Sequence, residues 1–176
     1  MSSIEIRSVT PDDAERLREI YAPYVKDTAV SFEYDVPSLQ EFRGRIERTL
    51  GRYPYICAVR EGVVMGYAYA GPFHAREAYQ WSAELSIYVD AQAHGQGIGR
   101  RLYEELEERL RERGIVNTYA GIAVPTVQED EYLTTASERF HAHMGFKEVA
   151  RFRDCGKKFG RWYSMIYMEK IIGPHD

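Results

Sequence analysis

The chain has 176 residues, 44 % of them hydrophobic, and a formal net charge of −4. This length suits one domain with its own core, and the mild negative charge gives no electrostatic footing for nucleic acid, which wants a basic face. Two distant cysteines, Cys57 and Cys155, make neither a disulfide framework nor a zinc site, and no apolar run approaches the ~18 residues of a membrane span.

Met1-Ser2-Ser3-Ile4-Glu5 carries no signal-peptide pattern, so a cytoplasmic protein is expected. Ile4-Glu5-Ile6-Arg7-Ser8-Val9 alternates apolar and polar residues, as a half-buried strand does. Thr10-Pro11-Asp12-Asp13 signals a helix start, with Thr as N-cap, Pro in the first turn and acids behind it. Ala14, Leu17, Ile20 and Tyr21 follow at helical spacing, and Pro23 strains the helix near its end. Ser38 caps a second helix whose Leu39, Phe42, Ile46 and Leu50 share a face, with Gly51 as its stop. Residues 55–59 and 63–70 flank a Glu61-Gly62 turn as a hairpin, which Gly71-Pro72 ends.

A further strand over 81–89 sets Ala83, Leu85, Ile87 and Val89 on one face and Glu84, Ser86 and Tyr88 on the other. A helix over about 97–113 carries Ile98, Leu102, Leu106 and Leu110 as its apolar stripe, and a strand over 118–124 follows. Residues 125–133, with Gln128-Glu129-Asp130-Glu131 at their centre, are expected to form an acidic surface insertion. A short helix over 136–143 ends at Gly145. Two closing strands, about 147–153 and 162–171, are joined by Gly156-Lys157-Lys158-Phe159-Gly160. The order β-α-α-β-β-β-α-β-α-β-β predicts one domain over 1–176, a mixed α/β sheet with helices on its faces. The 14 tyrosines are expected mainly to pack.

His94-Gly95-Gln96-Gly97-Ile98-Gly99-Arg100-Arg101 joins a strand to a helix. Glycines let the chain come close to a pyrophosphate, the first helical turn offers unpaired N–H groups and positive partial charge, and the arginines add charge-assisted bonds. Taken alone, the stretch is equally well an ordinary glycine-rich turn. A Walker A loop would need Lys and Ser or Thr after Gly99, where Arg100 stands. A Rossmann fingerprint would need glycine at Arg100 or at Leu102, and a hairpin here precedes the turn.

In this context the chain resembles the GCN5-related N-acetyltransferase (GNAT) superfamily, whose signature (Gln/Arg)-x-x-Gly-x-Gly/Ala after the fourth strand is met by Gly97-Ile98-Gly99, with His94 in the first place. It is most similar to the phosphinothricin and methionine sulfoximine acetyltransferases. The stretches that carry the likeness are Ala29-Val30-Ser31-Phe32-Glu33, Arg52-Tyr53-Pro54, Gly66-Tyr67-Ala68-Tyr69-Ala70-Gly71-Pro72, Ala75-Arg76-Glu77-Ala78-Tyr79, Glu84-Leu85-Ser86-Ile87-Tyr88-Val89 and Lys158-Phe159-Gly160-Arg161-Trp162. The resemblance implies the GNAT fold, a mostly antiparallel twisted sheet splayed at an acetyl-CoA site. It implies that Ile87, Tyr88 and Val89 face the acetyl and pantetheine arm and that His94, Gly95, Gln96, Gly97, Ile98, Gly99 and Arg100 cradle the pyrophosphate. Thr134 stands where the family usually has an asparagine that contacts the cofactor, and Ser164 where close relatives tend to have aspartate. His74-Ala75-Arg76 and Glu84-Leu85-Ser86 fall on acceptor-binding stretches. A homodimer is also implied.

Transfer of acetyl to an amine needs a base for the ammonium, donors for the oxyanion, and a proton or dipole for the thiolate. Glu84 matches the family's proposed base, against a solvated strand carboxylate as the plain alternative. The Val89 N–H is the implied oxyanion donor. His141 is the candidate acid, against a packed histidine beside His143 and Met144, and the pair makes a poor metal site. Arg76 suits a bidentate grip on an acceptor carboxylate, against a plain surface arginine. Phe32, Glu33 and Tyr34 are expected to line the acceptor cleft from the first helical region, with a plain core position as the equal alternative for Phe32. The expected activity is acetyl-CoA-dependent N-acetylation of a small amino-acid-like amine. Polyamine, aminoglycoside and protein N-terminal acceptors stand as alternatives, with Glu129, Asp130 and Glu131 as a lure for polycations. A non-catalytic acyl-CoA-binding module is a third, opposed by the retained Glu84.

Overall fold

The computed structural model describes residues 3–176, so Met1 and Ser2 of the opening stretch lie outside the described residues. The strands are β1 (Glu5–Ser8), β2 (Tyr55–Arg60), β3 (Val63–Pro72), β4 (Ser82–Val89), β5 (Asn117–Val124), β6 (Lys147–Lys158) and β7 (Arg161–Ile171). The helices are α1 (Ala14–Lys26), α2 (Leu39–Leu50), α3 (Ile98–Arg111) and α4 (Ala136–His143). The strands form a seven-stranded sheet in the order β1-β2-β3-β4-β5-β7-β6. All its neighbours are antiparallel except β4 and β5.

The two periodicities in the sequence account for the layers. The α1 stripe of Leu17, Ile20, Tyr21 and Val25 packs with Phe42 and Ile46 of α2 over Tyr55, Cys57 and Tyr67 on one sheet face. The α3 stripe of Ile98, Leu102, Leu106 and Leu110 covers Ala58, Ala68, Leu85, Ala120 and Ile122 on the other. The predicted faces of β4 hold: Ala83 and Leu85 join the α3 side, and Tyr88 packs against the α1 side. Thr10 and Asp13 form a capping box around a short 3₁₀ turn over Pro11–Asp13, and the Ser38 hydroxyl accepts from the Glu41 N–H at 3.1 Å. Pro23 stays inside α1, close enough to its end that the Asp27 N–H still reaches the Pro23 carbonyl.

Three expectations change. Gly51 follows α2 at φ −62°, an ordinary helical angle, so its glycine freedom is not what stops the helix. β6 runs on past 153 to Lys158, because a bulge between Phe152 and Gly156 absorbs the break in alternation and Asp154 takes φ 46° there. The connecting turn shrinks to Phe159 and Gly160, at φ 52° and 72°.

The 125–133 segment is also less superficial than its composition suggests. The Asp130 side chain is 3 % exposed. It accepts from the Tyr132 N–H at 2.8 Å, the Tyr163 hydroxyl at 3.0 Å and Arg161 at 3.3 Å. Leu133 is buried with Ala29 and Tyr163, and Tyr132 stacks on Phe159 at 4.1 Å. One acid turned inward thus ties the segment to the β6–β7 hairpin.

Another buried acid fastens α3 to the sheet. Glu107 is 3 % exposed and accepts two bonds from Lys170 Nζ, at 2.8 and 2.9 Å. Replacing Glu107 by Ala strands the Lys170 ammonium and is expected to lower stability by about 2 kcal/mol, below the cost at a fully buried pair because Lys170 keeps some water. Urea unfolding measures it, and adding Lys170→Met should restore part of the loss.

Candidate active site

The turn before α3 takes the conformation its glycines allow. Gly95 and Gly97 sit at φ 74° and 75°, a region costly to residues with a Cβ. Gly97 is the N-cap of α3 and no side chain caps that end, so the first N–H groups stay available to a ligand. Gly99 serves packing: a Cβ there would lie 3.0 Å from the Phe140 ring, so its absence lets α4 close on α3.

A cavity of about 830 Å³ opens at this end of α3. Of the residues expected to hold the cofactor, Ile87, Val89, His94, Gly95, Gly97, Ile98, Gly99, Arg100 and Thr134 line it. Tyr88 and Gln96 do not. The Tyr88 side chain belongs to the opposite sheet face, and Gln96 is drawn aside by Arg60 and by the Gln92 carbonyl at 3.2 Å. Thr134 Oγ1 accepts from the Ala136 N–H at 3.2 Å, starting α4. Ser164 is buried, with its hydroxyl accepting from the Asp154 N–H at 3.1 Å.

The cavity has walls that no motif announced: Tyr24, Asp27, Thr28 and Val30 around the end of α1, Glu131 to Leu133, and Phe140, His143 and Met144. Tyr24 clasps the turn. Its hydroxyl donates to the Val89 carbonyl and lies 2.8 Å from His94 Nε2, and burial pushes its pKa up to about 12. Only the nearby Ala29-Val30 stretch hinted that this end of α1 would matter.

Beside the cavity the sheet parts. β4 and β5 pair only at Ser82↔Asn117, Ala83↔Thr118 and Glu84↔Tyr119. The Asp90 N–H bonds the Met65 carbonyl at 2.9 Å, so by ladder alternation the peptide groups of Leu85, Ile87 and Val89 point away from β3, with Leu85 and Ile87 lining the split and Val89 lining the large cavity. A smaller cavity of about 60 Å³ occupies this split. It shares Val30, Ile87 and Ser137 with the large one.

Glu84 stands at the end of the shortened ladder, half-buried. Its carboxylate lies over Gly121, where a Cβ would come within 3.3 Å of Oε1. It makes none of the side-chain hydrogen bonds or ion pairs found among the described residues. Burial raises its pKa above the usual carboxylate range, and nearby His74 pulls it part of the way back. Phe73 stacks on Tyr119 at 4.1 Å and touches His74, so the loop after β3 is held beside Glu84. Ala75 and Arg76 follow on that loop, exposed, and Arg76 has no side-chain partner among the described residues. Leu85 and Ser86 both line the split, with the Leu85 side chain buried on the α3 side.

Phe32, Glu33 and Tyr34 lie in the loop after α1, not in a helix. The Phe32 ring fills the space a Gly156 Cβ would need, and Tyr34 donates to the Lys157 carbonyl. Glu33 is taken up by Arg45 at 2.7 and 3.0 Å, which holds its carboxyl below the usual range. Lys158 Nζ donates to the Val25 and Ser31 carbonyls, both at 2.7 Å, and bolts the loop to the β6–β7 hairpin.

His141 is 3 % exposed. Nδ1 is 2.8 Å from the Ser137 carbonyl, which can only accept, so Nδ1 carries the proton. Nε2 is 2.8 Å from the Tyr103 hydroxyl and therefore accepts from it. Burial drives the pKa down to about 4, against the pull of the Ser137 carbonyl. The imidazole is neutral at pH 7 with both nitrogens engaged, a poor match for the acid role expected of it. Among the described residues no group of His, Cys, Asp and Glu is arranged to hold a metal ion, and no helix is long and apolar enough to cross a membrane.

The family model for an acetyltransferase (GNAT) domain matches residues 6–167. Phosphinothricin N-acetyltransferase of Streptomyces viridochromogenes is 32 % identical over 95 % of this chain and 87 % of its own length. A phosphinothricin acetyltransferase of the GNAT superfamily from Sinorhizobium meliloti, solved in complex with acetyl-CoA, has a TM-score of 0.87 at 32 % identity, covering 98 % of this chain and 90 % of that one. Ribosomal-protein-alanine N-acetyltransferase from Brucella melitensis has a TM-score of 0.85 at 37 % identity, covering 95 % and 99 %.

The His141 geometry sets a pH dependence of stability. A histidine with a lowered folded pKa contributes fully above its unfolded value near 6.5 and loses that contribution as pH falls toward about 4. The span corresponds to roughly 3 kcal/mol. Denaturant unfolding between pH 7 and pH 4 should therefore be less steep in pH for His141→Gln than for the parent.

Proposed function

This chain belongs to the GNAT acetyltransferase family and is an N-acetyltransferase, and from that premise we propose that it carries acetyl from acetyl-CoA to the primary amine of a small amino-acid-like acceptor, of the phosphinothricin or methionine sulfoximine type. The observation that carries the reading is an unpartnered, half-buried carboxylate, Glu84, on the last β4–β5 pair before the sheet parts beside the large cavity. The cavity suits coenzyme A: left-handed glycines and an uncapped helix end for the pyrophosphate, Arg100 beside them, and Ile87, Val89 and Phe140 along the arm. The Sinorhizobium relative's complex with acetyl-CoA supports this choice of donor.

Glu84 acts as the base, directly or through a water. A carboxylate shifted upward by burial is a better match to an ammonium proton than an ordinary one, and while ionised its charge holds the ammonium. The amine nitrogen bonds to the acyl carbon, whose oxygen is received by the Val89 N–H. The new nitrogen substituent still carries a second proton, and the thiolate can take it as the carbon–sulfur bond breaks. A thiol pKa near that of cysteine, about 8.5, makes this an easy departure. We therefore assign no proton to His141. Arg76 grips the acceptor's carboxylate, and His74 and Phe32 border it.

The polycation alternative is weakened because Asp130 turns inward and Glu131 is paired with Arg161 at 3.2 Å. A protein acceptor, of which an N-terminus is one case, keeps standing as a second reading, since the Brucella relative is named for ribosomal-protein alanine. The working form we propose is a cytoplasmic homodimer. A reducing compartment suits two free cysteines, and the exposed edge strand β6, with Val149 and Phe152 outward, suits an interface.

Acetyl-CoA consumption over a panel of amino acids, sulfoximines, polyamines and N-terminal peptides tests the reading, and turnover confined to peptides would overturn it. Glu84→Gln should lower kcat/KM by roughly 10²–10⁴-fold. The parent's rate should fall as pH drops through the raised Glu84 pKa, and the variant should lack that limb. Arg76→Ala should raise the acceptor KM about tenfold, the loss of one charge-assisted contact, with the affinity for coenzyme A unchanged in titration calorimetry.

A further inference from the structure

The transfer reading gives the 125–133 segment no task, yet a buried carboxylate there is committed to holding one short stretch of backbone. Asp130 Oδ1 accepts from the Tyr132 N–H at 2.8 Å and from the Tyr163 hydroxyl at 3.0 Å, while Oδ2 takes Arg161 at 3.3 Å. The Tyr132 carbonyl in turn accepts from the Ala29 N–H at 3.0 Å. Both backbone polar groups of Tyr132 are therefore fixed, one to the segment's own acid and one to the loop after α1. Its ring is fixed as well, stacked on Phe159 at 4.1 Å with the Arg161 guanidinium over it at 4.9 Å.

The residue held in this way is cavity wall. Glu131, Tyr132, Leu133 and Thr134 line the large cavity together with Gly95, Gly97 and Arg100, whereas Asp130 does not line it. Arg161 also pairs with Glu131 at 3.2 Å, which offsets a negative charge that would otherwise face an anionic ligand. An acid placed out of the ligand's reach, with its bonds directed at a lining residue, is arranged to shape the wall.

Resting on the reading of the large cavity as the coenzyme A site, we propose that the 125–133 segment is a built wall of that site and that Asp130 is its positioning residue, acting through Tyr132. A wall ordered in advance spares the ligand the cost of ordering it on binding. Without the carboxylate, the Tyr132 N–H loses its partner and the stretch has to be ordered each time coenzyme A enters.

The test is coenzyme A affinity by titration calorimetry, with steady-state kinetics on one acceptor, for the parent, Asp130→Ala, Asp130→Asn, Tyr132→Ala and the double variant Asp130→Ala/Tyr132→Ala. Asp130→Ala should raise the coenzyme A Kd and the acetyl-CoA KM about tenfold. The kcat at saturating donor and the acceptor KM should stay as in the parent, a split that a general loss of structure would not give. Asp130→Asn keeps an oxygen for the Tyr132 N–H and the Tyr163 hydroxyl, and should recover most of the affinity. Tyr132→Ala should weaken coenzyme A by a similar factor, and the losses in the double variant should be clearly less than additive, because the acid acts through that residue. Should Asp130→Ala fail to fold, Tyr132→Ala still decides, since an unchanged affinity there removes the wall that Asp130 is held to position. Unchanged coenzyme A affinity in a folded alanine variant, fully additive losses, or a matching loss in kcat and acceptor KM would overturn the proposal. Calorimetry needs no turnover, so a protein that acetylates nothing on the panel, yet loses coenzyme A on Asp130→Ala, would sink the transfer reading and keep this one.

Discussion

Three residue pairs, Ser82↔Asn117, Ala83↔Thr118 and Glu84↔Tyr119, are all that join β4 to β5. Beyond them each strand keeps its other neighbour, so the sheet stays whole while its middle opens. A parted ladder leaves backbone donors and acceptors that want partners, and elsewhere such an edge would be a liability. Here the opening is filled from both sides. α4 and α3 close one face with His141 and Tyr103, while the loop after α1 brings Val30 to the rim. The catalytic carboxylate we propose belongs to the last intact pair, where the backbone is still fixed by two neighbours. The groups we assign to the acyl oxygen lie just past it, where the backbone is free to bind.

Much of this was visible in the chain. The period-two and period-three-and-a-half patterns gave every strand and helix in the right order, because burial of one face is what both patterns encode. The glycine turn was legible because glycine adopts φ near 75°, as at Gly95 and Gly97, at least cost. Glu84 was singled out by the resemblance, which sets it where the family has its proposed base.

The remainder depended on contacts between residues distant in sequence. Nothing local distinguishes Tyr24 from a helix tyrosine; it becomes a clasp only when α1 is laid across the end of β4. The acidic run at Glu129 to Glu131 read as surface because composition cannot tell which acid meets Arg161 and Tyr163. His141 was expected to be the acid because the resemblance sets it in that place, and its neutrality follows from burial, Ser137 and Tyr103 together. The 153–158 stretch broke alternation, and a break in pattern does not say whether a strand ends or bulges.

The loop after α1 has one consequence that none of its contacts shows singly. Val30 borders the large cavity, and Phe32 to Tyr34, two residues on, are bolted to the β6–β7 hairpin on the other side. The same few peptide units therefore belong at once to the rim of the large cavity and to the footing of the hairpin. A ligand that shifts Val30 is felt at the hairpin contacts, and by linkage whatever steadies the hairpin changes that ligand's affinity by the same free energy.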